Sequence, residues 1–365
     1  MDTLSITTTI GILGFLLGGI FGATAHRTNF CTMGSISDIV FMGNWDRFRA
    51  WLLAIAVAIL GTQLLFIIGV IDITKSIYLT PNLSWAGAII GGLLFGFGMT
   101  LGGGCGSKTL VRLGAGNLKS VVVALFLGIF AYMTLRGLIG LVRLQLENTN
   151  ADLSKLGLKS QGIPGILEAA GLTAPNIQAI VAAVFVIGLL WFCFKCPSFR
   201  ASPRNIAGGL IIGLLTPLGW YITGVMGHDD FEPTALASVT FVAPVGEGMQ
   251  YLMTFTGATI NFGIATVGGV IVGAFIAAKS ADEFRFESFT GASDMGRHII
   301  GGAMMGTGGV LALGCTIGQG ITGMSTLAIG SVIAFAAIIL GGLCGLKYLE
   351  EGSLGGAFKA LIGRA

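Results

Sequence analysis

The 365-residue chain is 54% hydrophobic and only 10% charged, with a mean hydropathy of +0.88. An ordinary globular domain carries about 25% charged residues, so this composition excludes a soluble domain and defines a polytopic membrane protein. A net charge of +3 gives no sign of nucleic acid as a partner.

Taken in order, nine long apolar segments fall near 6–26, 49–70, 84–102, 118–142, 176–194, 205–222, 248–278, 298–313 and 327–346. Most approach the roughly 20 residues that a membrane helix needs. The first has no basic n-region or cleavage site before it, so Ile6 onward is expected to be a helix rather than a signal peptide. The seventh is overlong and is expected to break around Thr256 to Asn261. Four short segments, near 32–42, 106–113, 223–226 with 234–243, and 316–324, follow the first, third, sixth and eighth. The main polar connection runs from Glu147 to Ala174 and contains GIPGILEAAGL, readable either as a short interfacial amphipathic helix or as a plain loop. The fold class is therefore all-α, with about nine transmembrane helices plus four short helices. It forms a single transmembrane domain, with a first half at 1–145, a connector at 146–203 and a second half at 204–365.

The 60 glycines are more than twice the usual share, and they are ordered. GGIFGATAHRTNFC, GGLLFGFGMTLGGGC, GGLIIGLLTPLGWYI and GGAMMGTGGVLALGC align on Gly22, Gly96, Gly213 and Gly306. Cys31, Cys105, Ile222 and Cys315 then occupy one equivalent position. Four units share one design, and three of them carry a thiol at the same place. The paired glycines Gly92 and Gly96, Gly209 and Gly213, and Gly302 and Gly306 suit close helix approach in lipid.

Suppose each unit crosses the membrane once. Alternate connections then gather Arg47 and Arg49, Arg112 and Lys119, Lys195, Arg200 and Arg204, Lys279, Arg285 and Arg297, and Lys347, Lys359 and Arg364. The opposite side keeps only Lys75, Arg143, Lys155 and Lys159. The bias places the N-terminus outside and the C-terminus in the cytoplasm. Re-entrant hairpins throughout would put Arg47 and Arg200 on opposite sides, which disfavours them. The Cys105 and Cys315 units then lie an odd number of crossings apart and run in opposite senses, as do the first and third units. This is an inverted pseudo-two-fold repeat, the design that places transporter sites near the midplane where broken helices meet. The glycine-rich LGGGCGS and LGCTIGQG can be either helix breaks or dipping loops.

Cys31, Cys105 and Cys315 are the leading candidates for chemistry. A buried cysteine is most often a small hydrophobe, but three at equivalent positions beside glycine-rich breaks point to a shared role. The three histidines, His26, His228 and His298, form no metal-ligand pattern, and no paired spacing among the three cysteines marks a redox motif. A neutral thiol is a weak donor with a soft sulfur, which suits a small anion carrying a soft atom. Arg27 and Lys108 flank Cys31 and Cys105 and read as an electropositive entrance, or as side chains snorkelling to headgroups. Arg136 falls within the fourth segment. Gln319, Asn261, Thr32 and Thr316 are neutral donors for oxyanion oxygens or for ordinary helix contacts. Cys193 and Cys196, in FCFKCP, lie outside the repeat, as does Cys344. The acidic run HDDFEP reads as a solvated outer loop.

RTNFCTMG, LGGGCGSKTLVRLG and ALGCTIGQGITG together resemble the YeeE/YedE family of bacterial thiosulfate transporters, over nearly the whole chain. The resemblance implies an hourglass of nine transmembrane and four short helices in the bacterial inner membrane. It implies thiosulfate, or a related sulfur or selenium species, passing along Cys31, Cys105 and Cys315 by S–H···S contacts without a covalent intermediate. It also implies a cytoplasmic partner, a sulfur-carrier protein of the TusA type or a rhodanese-like protein, with no cofactor. A second reading, from the thiols alone, is a membrane thiol oxidoreductase. The Glu147–Ala174 loop and Cys193/Cys196 fall outside the matched pattern.

Overall fold

A computed structural model describes residues 5–353 apart from 173, 175 and 228–233, together with 355–357 and 359. Long helices are α1 (Ile6–Thr28), α3 (Asp46–Ile67), α4 (Trp85–Leu101), α6 (Leu118–Leu135), α9 (Ile177–Phe194), α11 (Pro203–Tyr221), α13 (Phe262–Ser280), α14 (Ala292–Leu311) and α15 (Ile329–Glu351). Shorter ones are α2 (Thr32–Met42), α5 (Gly106–Gly114), α7 (Gly140–Glu147), α8 (Ile163–Ala169), α10 (Pro197–Arg200) and α12 (Val242–Met253). Eight spans built on these helices are long and apolar enough to cross a membrane. The remaining long helix, α14, carries Asp294, Arg297 and His298 in its first turns.

One segment differs from the sequence reading and another breaks where it was expected to. The fourth long segment ends at Leu135, and Arg136 is an exposed C-cap residue rather than a mid-helix charge. The seventh is two helices, α12 and α13, separated at 254–261 as the sequence suggested. There Asn261 caps α13 by accepting from the Ile264 amide, and its own amide donates to Glu247, so its role is structural. The HDDFEP run lies outside the described residues.

The glycines set the helix pairing. A side chain at Gly22 would meet the Val270 carbonyl at 2.1 Å, and one at Gly96 the Ile338 carbonyl at 2.1 Å. At Gly306 and Gly213 the clashes are with Leu127 and Ala54 carbonyls, at 2.3 and 2.7 Å. The four aligned glycines are thus equivalent in packing as well as in sequence. Each seats its helix directly on a neighbour's backbone, where no Cβ fits. The pairs are α1 with α13, α4 with α15, α14 with α6, and α11 with α3. Successive contacts (Gly18 on Thr266, then Gly22 on Val270) show that each pair is parallel. By contrast α4 and α14 run antiparallel, because Gly98 meets Gly301 while Gly87 meets Leu311. Exchanging α1 with α11, α3 with α13, α4 with α14 and α6 with α15 maps the pairs onto one another in opposite sense, and α9, which packs on α3, has no counterpart in the exchange.

The two ends of the bundle are distinct. At the basic end the 114–118 and 281–291 connections join through an Asn117–Glu287 bridge, and Lys119 pairs with Asp294 at 2.8 Å. At the other end strand β1 (Asn82–Leu83) pairs with β2 (Ala151–Asp152), and Gly162 bridges Ala328. The long 147–174 connection, including α8, is thereby strapped over the segment that follows Cys315.

Candidate functional site

The three cysteine units share one local geometry. Two residues before each cysteine the chain turns left-handed, at Asn29 (φ 53°), Gly103 (φ 72°) and Leu313 (φ 56°). In each, the turning residue's N–H bonds three residues back and the next N–H bonds five back: Asn29 to His26 and Phe30 to Ala25; Gly103 to Thr100 and Gly104 to Met99; Leu313 to Val310 and Gly314 to Gly309. This Schellman closure ends the long helix. Asparagine and glycine enter that region readily, whereas leucine does so at a cost. The fourth unit lacks the turn: α11 runs through Trp220 into a π-helical stretch at Ile222–Met226, and it also lacks the cysteine.

Each cysteine then starts a short helical segment. Cys31 is the N-cap of α2 and its Sγ accepts from the Gly34 amide at 3.5 Å. Cys315 repeats this with Gly318 at 3.4 Å. Cys105 is the N-cap of α5, with Sγ 3.3 Å from Ser107 Oγ. Helix N-termini carry unsatisfied N–H groups and partial positive charge, a setting that favours anions.

The fold brings the thiols together. Cys31 and Cys105, from separate units, lie close enough to interact, and Thr316 is near Cys105. Cys315 lies within electrostatic range of Cys105 on one side and of Tyr78 on the other. All three are buried. The hydroxyls of Thr32 and Thr316, each following a cysteine, are also buried, and neither makes a hydrogen bond of ordinary geometry.

Cys31 opens on a cavity of about 530 Å³ at the basic end, lined by Arg47, Lys108, Arg112 and Arg204 with Asp38 and Asp46. Lys108 is buried and donates to Asn29 Oδ1 at 2.9 Å. Arg47 donates to the Asn29 carbonyl at 3.0 Å and pairs with Asp38, and Arg112 donates to the Gly103 carbonyl at 2.6 Å. Arginines thus hold the carbonyls of two left-handed turns. Arg27 does not join them: it is exposed and donates to Ser280 at 2.8 Å, on the α13 side. Sequence reading missed Arg47, Arg112, Arg204 and Asn29 as cavity residues. Asn29, two residues before Cys31 where glycine precedes Cys105, was the available signal.

Beyond Cys315, at the opposite end, a cavity of only about 20 Å³ is lined by Tyr78, Ser84, Gln161, Gln319 and Ser331. Gln319 donates from Nε2 to the Ala312 carbonyl and leaves Oε1 without a partner. Cys193 is buried and donates to the Arg49 carbonyl at 3.3 Å, and Cys344 is part of α15, so neither joins the three thiols.

These features define a multi-pass membrane protein whose buried thiols lie between a roomy cationic cavity and a much smaller neutral one. The chain belongs to the family described as sulphur transport, whose profile matches residues 27–344. It is similar to the thiosulfate transporter TsuA of Spirochaeta thermophila, 30% identical over 322 residues that cover 84% of this chain and 89% of that protein. The thiosulfate transporter TsuA of Escherichia coli K12 is 28% identical over 327 residues, covering 84% and 85%. A probable transporter of the same organism, YedE, is 33% identical over 102 residues, 27% of this chain and 23% of its own.

Proposed function

We propose that this protein imports thiosulfate, or a closely related sulfur anion, across a bacterial cytoplasmic membrane. The anion would pass along Cys315, Cys105 and Cys31 and leave through the cationic cavity. The single observation that carries this reading is the meeting of equivalent cysteines, each at the start of a short helix, between a cationic cavity and a small neutral one. Helix N-termini and unpartnered threonine hydroxyls supply donors for the anion's oxygens, and the thiols supply soft contacts to its sulfur. Weak contacts in series let a ligand leave as readily as it enters. Lys108, Arg47 and Arg112 would receive the anion at the basic end, which is cytoplasmic if the lysine and arginine bias holds. No covalent intermediate is required. A sulfur-carrier or rhodanese-like protein would then collect the product at that face.

The test is uptake of labelled thiosulfate by six single Cys→Ala variants, normalised to membrane expression. A neutral hydrogen bond contributes about 1 kcal/mol and a charge-assisted one about 1.5–3, so losing one at Cys31, Cys105 or Cys315 slows uptake by roughly 5- to 150-fold. Ala at Cys193, Cys196 or Cys344 leaves uptake near wild type. Equal dispensability of all six would sink the proposal. The closeness of Cys31 and Cys105 favours one second reading, a thiol oxidoreductase in which this pair reduces a disulfide substrate to two thiols and is left as a Cys31–Cys105 disulfide. That reading requires the Cys31–Cys105 disulfide to accumulate during turnover, and it requires Ser to be as inactive as Ala.

A further inference from the structure

The left-handed turns before Cys31 and Cys105 expose carbonyls that are held by arginines, Arg47 on Asn29 and Arg112 on Gly103. The equivalent turn at Leu313 points to the other end of the bundle, and among the described residues no donor reaches its carbonyl. Instead the C-terminal end of α14, at Leu311, Ala312 and Leu313, borders the 20 Å³ cavity. The polar side chains around that cavity are neutral: Gln161, Gln319, Ser84, Ser331 and Tyr78. Two of them, Gln161 and Gln319, are 4% and 3% exposed, and each has an amide oxygen with no partner. The Gln319 assignment is fixed, because its nitrogen donates to Ala312.

We propose that this cavity binds a monovalent alkali cation. The internal symmetry places a guanidinium on the carbonyl of each of the other two turns, and the third offers free oxygens instead. Helix C-termini carry partial negative charge, and unwound carbonyls beside them are the usual cation ligands of broken membrane helices. Oxygen donors suit hard cations, and the lack of a carboxylate in the lining favours a singly charged ion over calcium or magnesium. The volume accommodates one water-sized occupant. Gln319 lies one helical turn beyond Cys315, its backbone N–H donating to the Cys315 carbonyl at 2.8 Å. A cation there would offset the charge of an anion at that thiol, which couples the two ligands.

The experiment is thermal unfolding of the purified full-length protein in detergent without thiosulfate, so it is independent of the transport reading. Sodium, potassium or choline chloride is titrated at constant ionic strength. The expected result is a saturable rise in Tm with sodium or potassium and none with choline. Gln161→Leu, on the strapping loop and away from the thiols, should abolish the rise, and Gln319→Glu should lower the half-saturating concentration at least 10-fold. Identical curves for all three salts, as expected if a water molecule fills the cavity, would overturn the proposal. So would a full sodium response in a folded Gln161→Leu variant.

Discussion

Alanine substitution at the four aligned glycines should destabilise the protein in an order set by the clash each new Cβ meets. At Gly22 and Gly96 the carbonyl lies 2.1 Å away, at Gly306 2.3 Å and at Gly213 2.7 Å. A carbon normally approaches a carbonyl oxygen no closer than about 3.3 Å, so α1 and α4 must each shift by about 1 Å from a partner helix. Overpacking of this kind costs about 1–3 kcal/mol, a roughly 5- to 150-fold loss in the folded-to-unfolded ratio. Gly188 on α9 is the control, since an added Cβ meets nothing within 4 Å. Alanine there should be neutral, or stabilising by up to about 1 kcal/mol through helix propensity. The assay is the monodisperse fraction remaining after a temperature ramp, read by size-exclusion fluorescence. If Gly96→Ala survives as well as Gly188→Ala, the backbone contacts that define the repeat are wrong. If Gly213→Ala is the most damaging, the ranking argument fails.

Other expectations follow from the site. Gly103→Ala should cost about 1–2 kcal/mol, the left-handed penalty, whereas Asn29→Gly should leave the helix end intact; helical content and Tm of the two variants check this. Lys108→Met should slow thiosulfate uptake at least 10-fold while Arg27→Met, outside the cationic cavity, changes it less than two-fold; equal effects would return Arg27 to the site. Backbone N–H groups of Phe199 and Ser198 hold the Cys196 thiol below its ordinary pKa, so its thiolate fraction at pH 7 is raised. Maleimide should therefore modify Cys196 faster than an ordinary surface thiol, with the difference shrinking as pH rises. A cysteine at Arg200, in an otherwise cysteine-free chain, should be spared by a reagent applied from outside; modification would reverse the orientation.

The repeat, its nine-residue glycine-to-cysteine spacing and the paired glycines were legible because each depends on local composition. Glycine fits where backbones touch, whatever the partner, and a helix break beside a cysteine is marked by the residues that make it. The split near Thr256 to Asn261 was legible for the same reason, whereas GIPGILEAAGL left helix and loop equally open, and the fold makes it α8. The left-handed turn at Leu313 was not, since leucine carries no signal for that conformation and only the packed unit imposes it. Nor could the sequence say which thiols meet. Cys31 and Cys105 are brought together by pairing between units whose partners are far apart in the chain. The cations show the same division. In sequence Arg27 reads as part of an anion entrance and Arg47 only as a loop charge, but Arg27 lies on the side of α1 that meets α13 and bonds Ser280. Arg47, held by Asp38, reaches the Asn29 carbonyl and the cavity. A long side chain's destination is set by the helix faces that close around it, and those faces exist only in the assembled bundle.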